Sequence, residues 1–449
     1  MNSTETQAPT APSLKRLAIA SCAGTAIEYY DFLAYAIAAA TVFNVVFFPT
    51  ADPLTGTLLA LATFGTGFIV RPLGGIVIGH FGDRLGRKKM LVLTLLMMGA
   101  GTVLIGLLPT YAQIGIWAPI LLIVLRLIQG FAAGGEFAGA ALIAIEHAPP
   151  GRKGFYGSWT ILGVSAGALL ATGAFALLGR LDSDQFLSWG WRLPFLASIL
   201  IGAVGLLVRF GIEETPEFLE EQEAEKKTEK PKKLPFLQVI RDHPRAIILS
   251  AGTLIGYSTF VYVVFTFLLT YGTKEVGLSR SLLLNASMVG LAIQIICIPA
   301  WAALSDRIGR KPVMLIGGLS LLFFSFALFP LIRTENTTVI FLTLILGYNG
   351  AAAIHAPMAA FFAELFGTGV RYSGISLGYQ IGNVLGGGLA PVVATALFAM
   401  NKSTVPVSLY LAAAAVVSLV CLLSLPNTGR RKDELAAVAA ETEAAALVK

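Results

Sequence analysis

Gly79-His80-Phe81-Gly82-Asp83-Arg84-Leu85-Gly86-Arg87-Lys88-Lys89 is a short basic turn, punctuated by glycine, between two long apolar runs. Its pattern returns roughly half a chain later as Ser305-Asp306-Arg307-Ile308-Gly309-Arg310-Lys311, again between apolar runs. A D-R-x-G-R-K turn that occurs twice, at matching places, marks an internal repeat. The flanking runs decide what is repeated. Of 449 residues, 56% are hydrophobic and only 13% are charged, whereas a soluble domain is usually about a quarter charged. Charge-poor runs of about 20 residues recur along the chain, long enough to cross a hydrocarbon core of roughly 30 Å. The expected fold is an all-α integral membrane protein of two similar bundles, with a site between them. A soluble fold would need a very large buried helical core.

Twelve spans can be drawn outward from the two turns. The first six cover 17–48, 55–81, 90–108, 116–147, 155–180 and 190–211. The second six cover 245–272, 282–304, 312–332, 338–366, 373–399 and 405–425. They predict a six-helix bundle over 17–211, a polar linker over 212–244 and a second six-helix bundle over 245–425. Short segments, 1–16 and 426–449, flank them. Lys15-Arg16, the first basic turn, Arg152-Lys153, the linker, the second basic turn, Arg371 and Arg430-Arg431-Lys432 all fall on one side. That side is expected to be cytoplasmic, with both termini on it. The net charge of +6 is then a topology signal, and no nucleic-acid partner is expected. No removable signal peptide is read at the start. Cys22, Cys297 and Cys421 sit inside apolar runs without metal-ligand spacing,.

Ionisable groups at membrane depth are costly unless paired or wetted, and so are functional candidates. Span 1 carries Glu28 and Asp31, three apart and on one helical face,. Span 2 carries Arg71, and span 4 carries Arg126, Gln129 and Glu136. At ~1.5 Å per residue, Glu28 lies about 18 Å along its helix from Arg16, and Arg71 about as far from Asp83. Glu28, Asp31, Arg71 and Glu136 are therefore expected in one polar layer, with Arg126 about 15 Å beyond Glu136. Pairing that merely holds the bundle together is the bland alternative, and Arg126 with Gln129 would serve equally as interhelical glue. The second bundle offers mostly neutral groups: Tyr257, Tyr262, Gln294, Tyr348, Asn349, His355, Tyr379, Gln380 and Asn383. Such groups suit hydrogen bonding to a small polar solute. Gly65-Thr66-Gly67, Gly134-Gly135, Gly386-Gly387-Gly388 and Gly163-Val164-Ser165-Ala166-Gly167 read as packing faces,.

Acidic residues accompany the basic turns. Asp83 and Asp306 end spans 2 and 8, Glu146 and Glu364 end spans 4 and 10, and Arg152 and Arg371 follow the latter two. With Arg84, Arg87, Arg307 and Arg310 they are expected to form ion pairs that close the inner mouth in one conformation and part in another. No metal pair, cysteine–histidine nucleophile or phosphate loop is read, so neither an enzyme nor a cofactor is expected.

The doubled D-R-x-G-R-K turn, together with Arg126, resembles the major facilitator superfamily. Glu28-Tyr29-Tyr30-Asp31-Phe32, Arg71-Pro72-Leu73-Gly74-Gly75 and Arg126-Leu127-Ile128-Gln129-Gly130 with Gly134-Gly135-Glu136 look like its metabolite:proton symporter branch. That branch carries shikimate, 2-oxoglutarate, citrate, and proline or betaine. Gln185 to Arg192, Arg371-Tyr372-Ser373-Gly374 and Gly378-Tyr379-Gln380 are most similar to its shikimate carriers. The resemblance implies the major facilitator fold and alternating access driven by a proton gradient in a bacterial inner membrane, with a functional monomer. It implies import of a small carboxylate, shikimate first, with a dicarboxylate such as 2-oxoglutarate or a zwitterion such as proline or betaine as alternatives. Glu28, Asp31 and Glu136 would carry the proton. Arg71 would anchor a carboxylate, helped by Tyr30, Arg126, Gln129, Tyr257, Tyr262, Gln294, Asn349, His355, Tyr379, Gln380 and Asn383. Tyr30 stands where the branch commonly has tryptophan or phenylalanine.

Overall fold

The computed structural model describes residues 14–85, 87–210, 235–367 and 370–429. The expected segments 1–13, most of the linker and 430–449 lie outside the described residues, as do the side chains of Asp83, Arg84 and Arg87. The chain is helical, and no strand occurs among the described residues. The first bundle contains spans 1 (Leu14–Thr41), 2 (Pro53–Ile69 with Arg71–Leu85), 3 (Arg87–Leu107), 4 (Trp117–Glu146), 5 (Lys153–Leu178) and 6 (Leu193–Phe210). The second contains spans 7 (Pro244–Lys274), 8 (Arg280–Ile308), 9 (Arg310–Ile332), 10 (Thr337–Leu365), 11 (Arg371–Asn401) and 12 (Val405–Ser424).

The internal repeat reappears in the packing. Span 1 packs on 5, 2 on 4 and 3 on 6; span 7 packs on 11, 8 on 10 and 9 on 12. Each partnership recurs six spans later. Between bundles, span 5 meets 8 and 10, span 1 meets 7, and spans 2 and 4 meet 11.

Starts of spans follow local chemistry. Asp52 accepts the N–H groups of Leu54 and Thr55 ahead of Pro53, and Asn336 does the same for Thr338 and Val339,. Inside the spans, the run of helix is less uniform than apolar periodicity predicts. Span 2 is interrupted at Val70, just before Arg71-Pro72, because a proline has no N–H to give the preceding turn. Span 4 is broken between Ala133 and Glu136 by Gly134-Gly135. Span 10 is broken between His355 and Met358, beside Pro357. Spans 7 and 11 carry π-helical stretches, Val263–Leu268 and Val384–Gly388. Discontinuous helices in corresponding members of two repeats are a pointer to a central site.

Candidate functional site

At the end that carries the basic turns, the bundles are tied by charge. Arg310 is buried between Asp306 and Glu364, its Nη2 lying 2.9 Å from Glu364 Oε1. The Asp306 carboxylate also accepts from Gly154 N at 2.8 Å and Phe155 N at 2.9 Å, at the start of span 5 in the other bundle. A helix N-terminus exposes unsatisfied N–H groups and favours an anion. Gly154 is required here, since a Cβ would overlap the Arg310 guanidinium. Arg371 Nη1 lies 3.7 Å from Glu146 Oε1, a second link between bundles. Arg152 and Arg307 are exposed at this end.

The break in span 4 releases two carbonyls toward span 11. Gly135 O accepts from Tyr372 Oη at 2.6 Å, and Gly134 O from Gln380 Nε2 at 2.9 Å. At the opposite end, Thr270 Oγ1 donates to Ala40 O at 3.2 Å, and Gly65 packs on the Gly388 carbonyl. The bundles thus touch at both ends.

Between these contacts lies a buried charged layer in the first bundle. Glu28, Asp31, Arg71, Arg126 and Glu136 are each at most 1% exposed. Arg71 Nη2 is 3.3 Å from Glu28 Oε1, and its guanidinium lies 3.7 Å from the centre of the Phe32 ring. Arg126, expected further out, belongs to the same layer: its long side chain covers the same ring, also at 3.7 Å, and reaches Gln129 Oε1 at 3.3 Å. Gln129 in turn donates to Thr102 Oγ1 at 2.7 Å. Asp31 Oδ1 accepts from Ser198 Oγ at 2.7 Å and lies within electrostatic reach of Arg126 and Glu136. The layer therefore sets three carboxyls against two guanidiniums, and it is neutral when one carboxyl holds a proton.

Beside this layer, between the bundles, is a narrow cavity. The first bundle lines it with Tyr29, Leu33, Val164, Ser165 and Ala168. The second supplies Tyr257, Val261, Tyr262, Phe265, Leu291, Gln294, Tyr348 and Asn383. Toward the opposite end, Phe265 also walls a smaller, mostly apolar space that includes Ser287.

Of the residues expected to bind substrate, Tyr257, Tyr262, Gln294 and Asn383 line the cavity. His355 stacks behind Tyr257, ring centres 3.9 Å apart. Tyr379 donates to or accepts from Tyr29 across the interface at 2.7 Å, and stacks on Phe137. Gln380 is spent on Gly134. Arg71 is not among the lining residues; the Phe68 ring touches both it and the lining residue Tyr262. Other candidates turn elsewhere. Tyr30 donates to Pro194 O in span 6, Arg126 and Gln129 face the interior of the first bundle, and Asn349 accepts from Trp301. Sequence reasoning gave no ligand role to Tyr29 or Ser165. A signal existed: Tyr29, Leu33 and Ile37 on span 1, and Ser165, Ala168 and Thr172 on span 5, form helical stripes along the two cavities,.

A search of protein families matches the Major Facilitator Superfamily over residues 22–391 and 287–447. The chain belongs to the major facilitator superfamily. Within the superfamily it is 43% identical to the shikimate transporter of Escherichia coli K12, covering 93% of this chain and 95% of that protein. It is 42% identical to the inner membrane metabolite transport protein YhjE of the same organism, over 93% and 95%. Identity to the E. coli K12 proline/betaine transporter is 34%, over 93% and 84%. Among solved structures, the partially occluded inward-open xylose transporter XylE of E. coli superposes with a TM-score of 0.72 at 17% identity, covering 92% of this chain and 98% of that one. This superfamily member is thus a multi-pass membrane transporter of metabolites with the twelve-helix, two-bundle fold, and it is not an enzyme.

Proposed function

We propose that this transporter is a proton symporter that imports shikimate, or a closely similar hydroxylated carboxylate, by alternating access across a bacterial inner membrane. The observation that carries the reading is the charge count of the buried layer, three carboxyls against two guanidiniums beside a cavity of neutral hydrogen-bonding groups. With one carboxyl protonated the layer is neutral, so each carboxylate that enters must bring a proton with it or leave a buried charge uncompensated. Glu28 is the natural exchange point. While ionised it holds Arg71; protonated, it frees the guanidinium fork for the two oxygens of the arriving carboxylate. Asp31 and Glu136 hold the remaining balance. Cytoplasmic placement of both termini, action as a monomer, and division into bundles 17–211 and 245–425 about a 212–244 linker belong to the same reading. In it the Asp306, Arg310, Glu364, Glu146 and Arg371 contacts close the inner mouth, with Asp83, Arg84 and Arg87 as the matching set of the first repeat.

The test is uptake of labelled shikimate in cells lacking their own carrier, with and without a protonophore. Accumulation that collapses with the protonophore is expected, with weak competition by proline and betaine. No uptake above an empty-vector control sinks the substrate assignment. Strong competition by betaine moves it to a zwitterion, and by 2-oxoglutarate to a dicarboxylate.

A further inference from the structure

Resting on that reading of the cavity, we infer that Ser165 and Gln294 form a two-sided clamp that selects for a hydroxyl on the carried acid. Ser165 belongs to span 5 of the first bundle and Gln294 to span 8 of the second. Both line the cavity, and each is 4% exposed. Ser165 Oγ donates to Gln294 Oε1 at 3.0 Å, so one bond crosses between bundles inside the site. Gln294 Nε2 donates to the Tyr348 carbonyl at 2.8 Å, which fixes which way its amide points.

The unused valences define the ligand. Gln294 keeps one N–H and one lone pair on Oε1, and Ser165 keeps its own lone pairs. A donor and several acceptors stand together, with no ionisable group in the clamp. An alcohol both donates and accepts, and so satisfies both sides at once. A carboxylate only accepts: it can take the one remaining Gln294 N–H but leaves the lone pairs of Gln294 Oε1 and Ser165 Oγ without a donor. A primary or secondary ammonium only donates, and a quaternary ammonium does neither. The neighbours Val164, Ala168 and Leu291 are apolar, so polar valences opened here and left unmet cost free energy,. The carboxylate end is thereby directed away from the clamp, toward Arg71. Because the clamp has one jaw on each bundle, a hydroxyl that bridges it also ties the bundles together, and it is read when they are closed around the solute.

The experiment compares uptake of shikimate and of 1-cyclohexenecarboxylate, which keeps the ring and the carboxylate but has no hydroxyls. It uses wild type, Ser165→Ala, Ser165→Cys and Ser165→Thr. Loss of one well-made hydrogen bond is expected to lower kcat/KM for shikimate about tenfold in Ser165→Ala. The value for the hydroxyl-free acid should stay unchanged or rise. Ser165→Cys, nearly isosteric and a weak donor, should follow Ser165→Ala, whereas Ser165→Thr should retain the preference. A fall of the same size for both acids in the variants, or for neither, overturns the clamp while leaving the symporter reading intact. Absence of shikimate uptake by the wild type overturns both.

Discussion

Arg71 illustrates how a buried residue is made conditional. Its guanidinium is held by Glu28 and by the faces of Phe32 and Phe68, and its Nε has no hydrogen-bond acceptor among the described residues. Lysine would keep the charge but lose the planar fork and the ring contacts. Arg71→Lys is expected to raise the KM of a carboxylate substrate about tenfold or more, read from initial uptake rates. Glu28→Gln should lose uphill accumulation yet keep exchange of internal for external substrate, since exchange moves no net proton; retained accumulation would shift the coupling to Asp31 or Glu136. The neighbouring residues Tyr29 and Tyr30 show where sequence reading ends at this scale. Both are buried aromatic residues on a helix enclosed on nearly every side. One points across the interface to Tyr379 and the other into span 6. Hydropathy cannot separate those faces, because both tyrosines end in buried surroundings. The charged residues were legible, since their cost at membrane depth makes each one conspicuous.

At the scale of elements, length and composition were enough to find the twelve spans, and the doubled basic turn was enough to pair them. The break in span 4 was not legible in the same way. Gly134-Gly135 reads as a close-packing pair, and it does pack closely: a Cβ on Gly134 would overlap the Arg71 carbonyl oxygen. It also ends a helix, which frees carbonyls for Tyr372 and Gln380 of span 11. Nothing in a glycine pair says which role it takes; that depends on donors more than 200 residues away. Gly134→Ala is expected to leave little folded protein, because the obstacle is backbone that cannot move aside. Size-exclusion profiles of the detergent-extracted variant check this. Tyr372→Phe removes one donor to the broken span and should loosen the closure at the basic end. An added cysteine near Gly139, in a chain whose own cysteines are replaced, should then react faster with a thiol reagent from that side. Equal rates in the presence and absence of the tyrosine hydroxyl would mean that this bond does not bias the closure.

Over the whole molecule, the basic turns and the cavity are linked by rigid spans rather than by contact. Asp306 caps span 5 from the other bundle, and Ser165 stands further along that same span. Asp306→Asn weakens the cap and leaves Arg310 with one carboxylate fewer. Turnover is expected to fall severalfold, while equilibrium binding to purified protein changes little; a hundredfold loss of binding would mean that the turn acts on the site itself. The fold was readable at this scale because a repeat and a composition suffice for it. The ion pairs at the basic end were readable only as a set of candidates, because Glu146 meets Arg371 across the interface, a partner more than 200 residues away that no sequence spacing singles out. Gly163 and Gly167 of span 5 lie against the backbone of span 1, and Gly382 and Gly386 of span 11 against that of span 7. These seams close inside each half, with main chain against main chain. Each half is therefore a self-sufficient piece of polypeptide. Two separately translated chains, 1–222 and 223–449, should find each other in the bilayer and restore uptake when made together, and neither should do so when made alone.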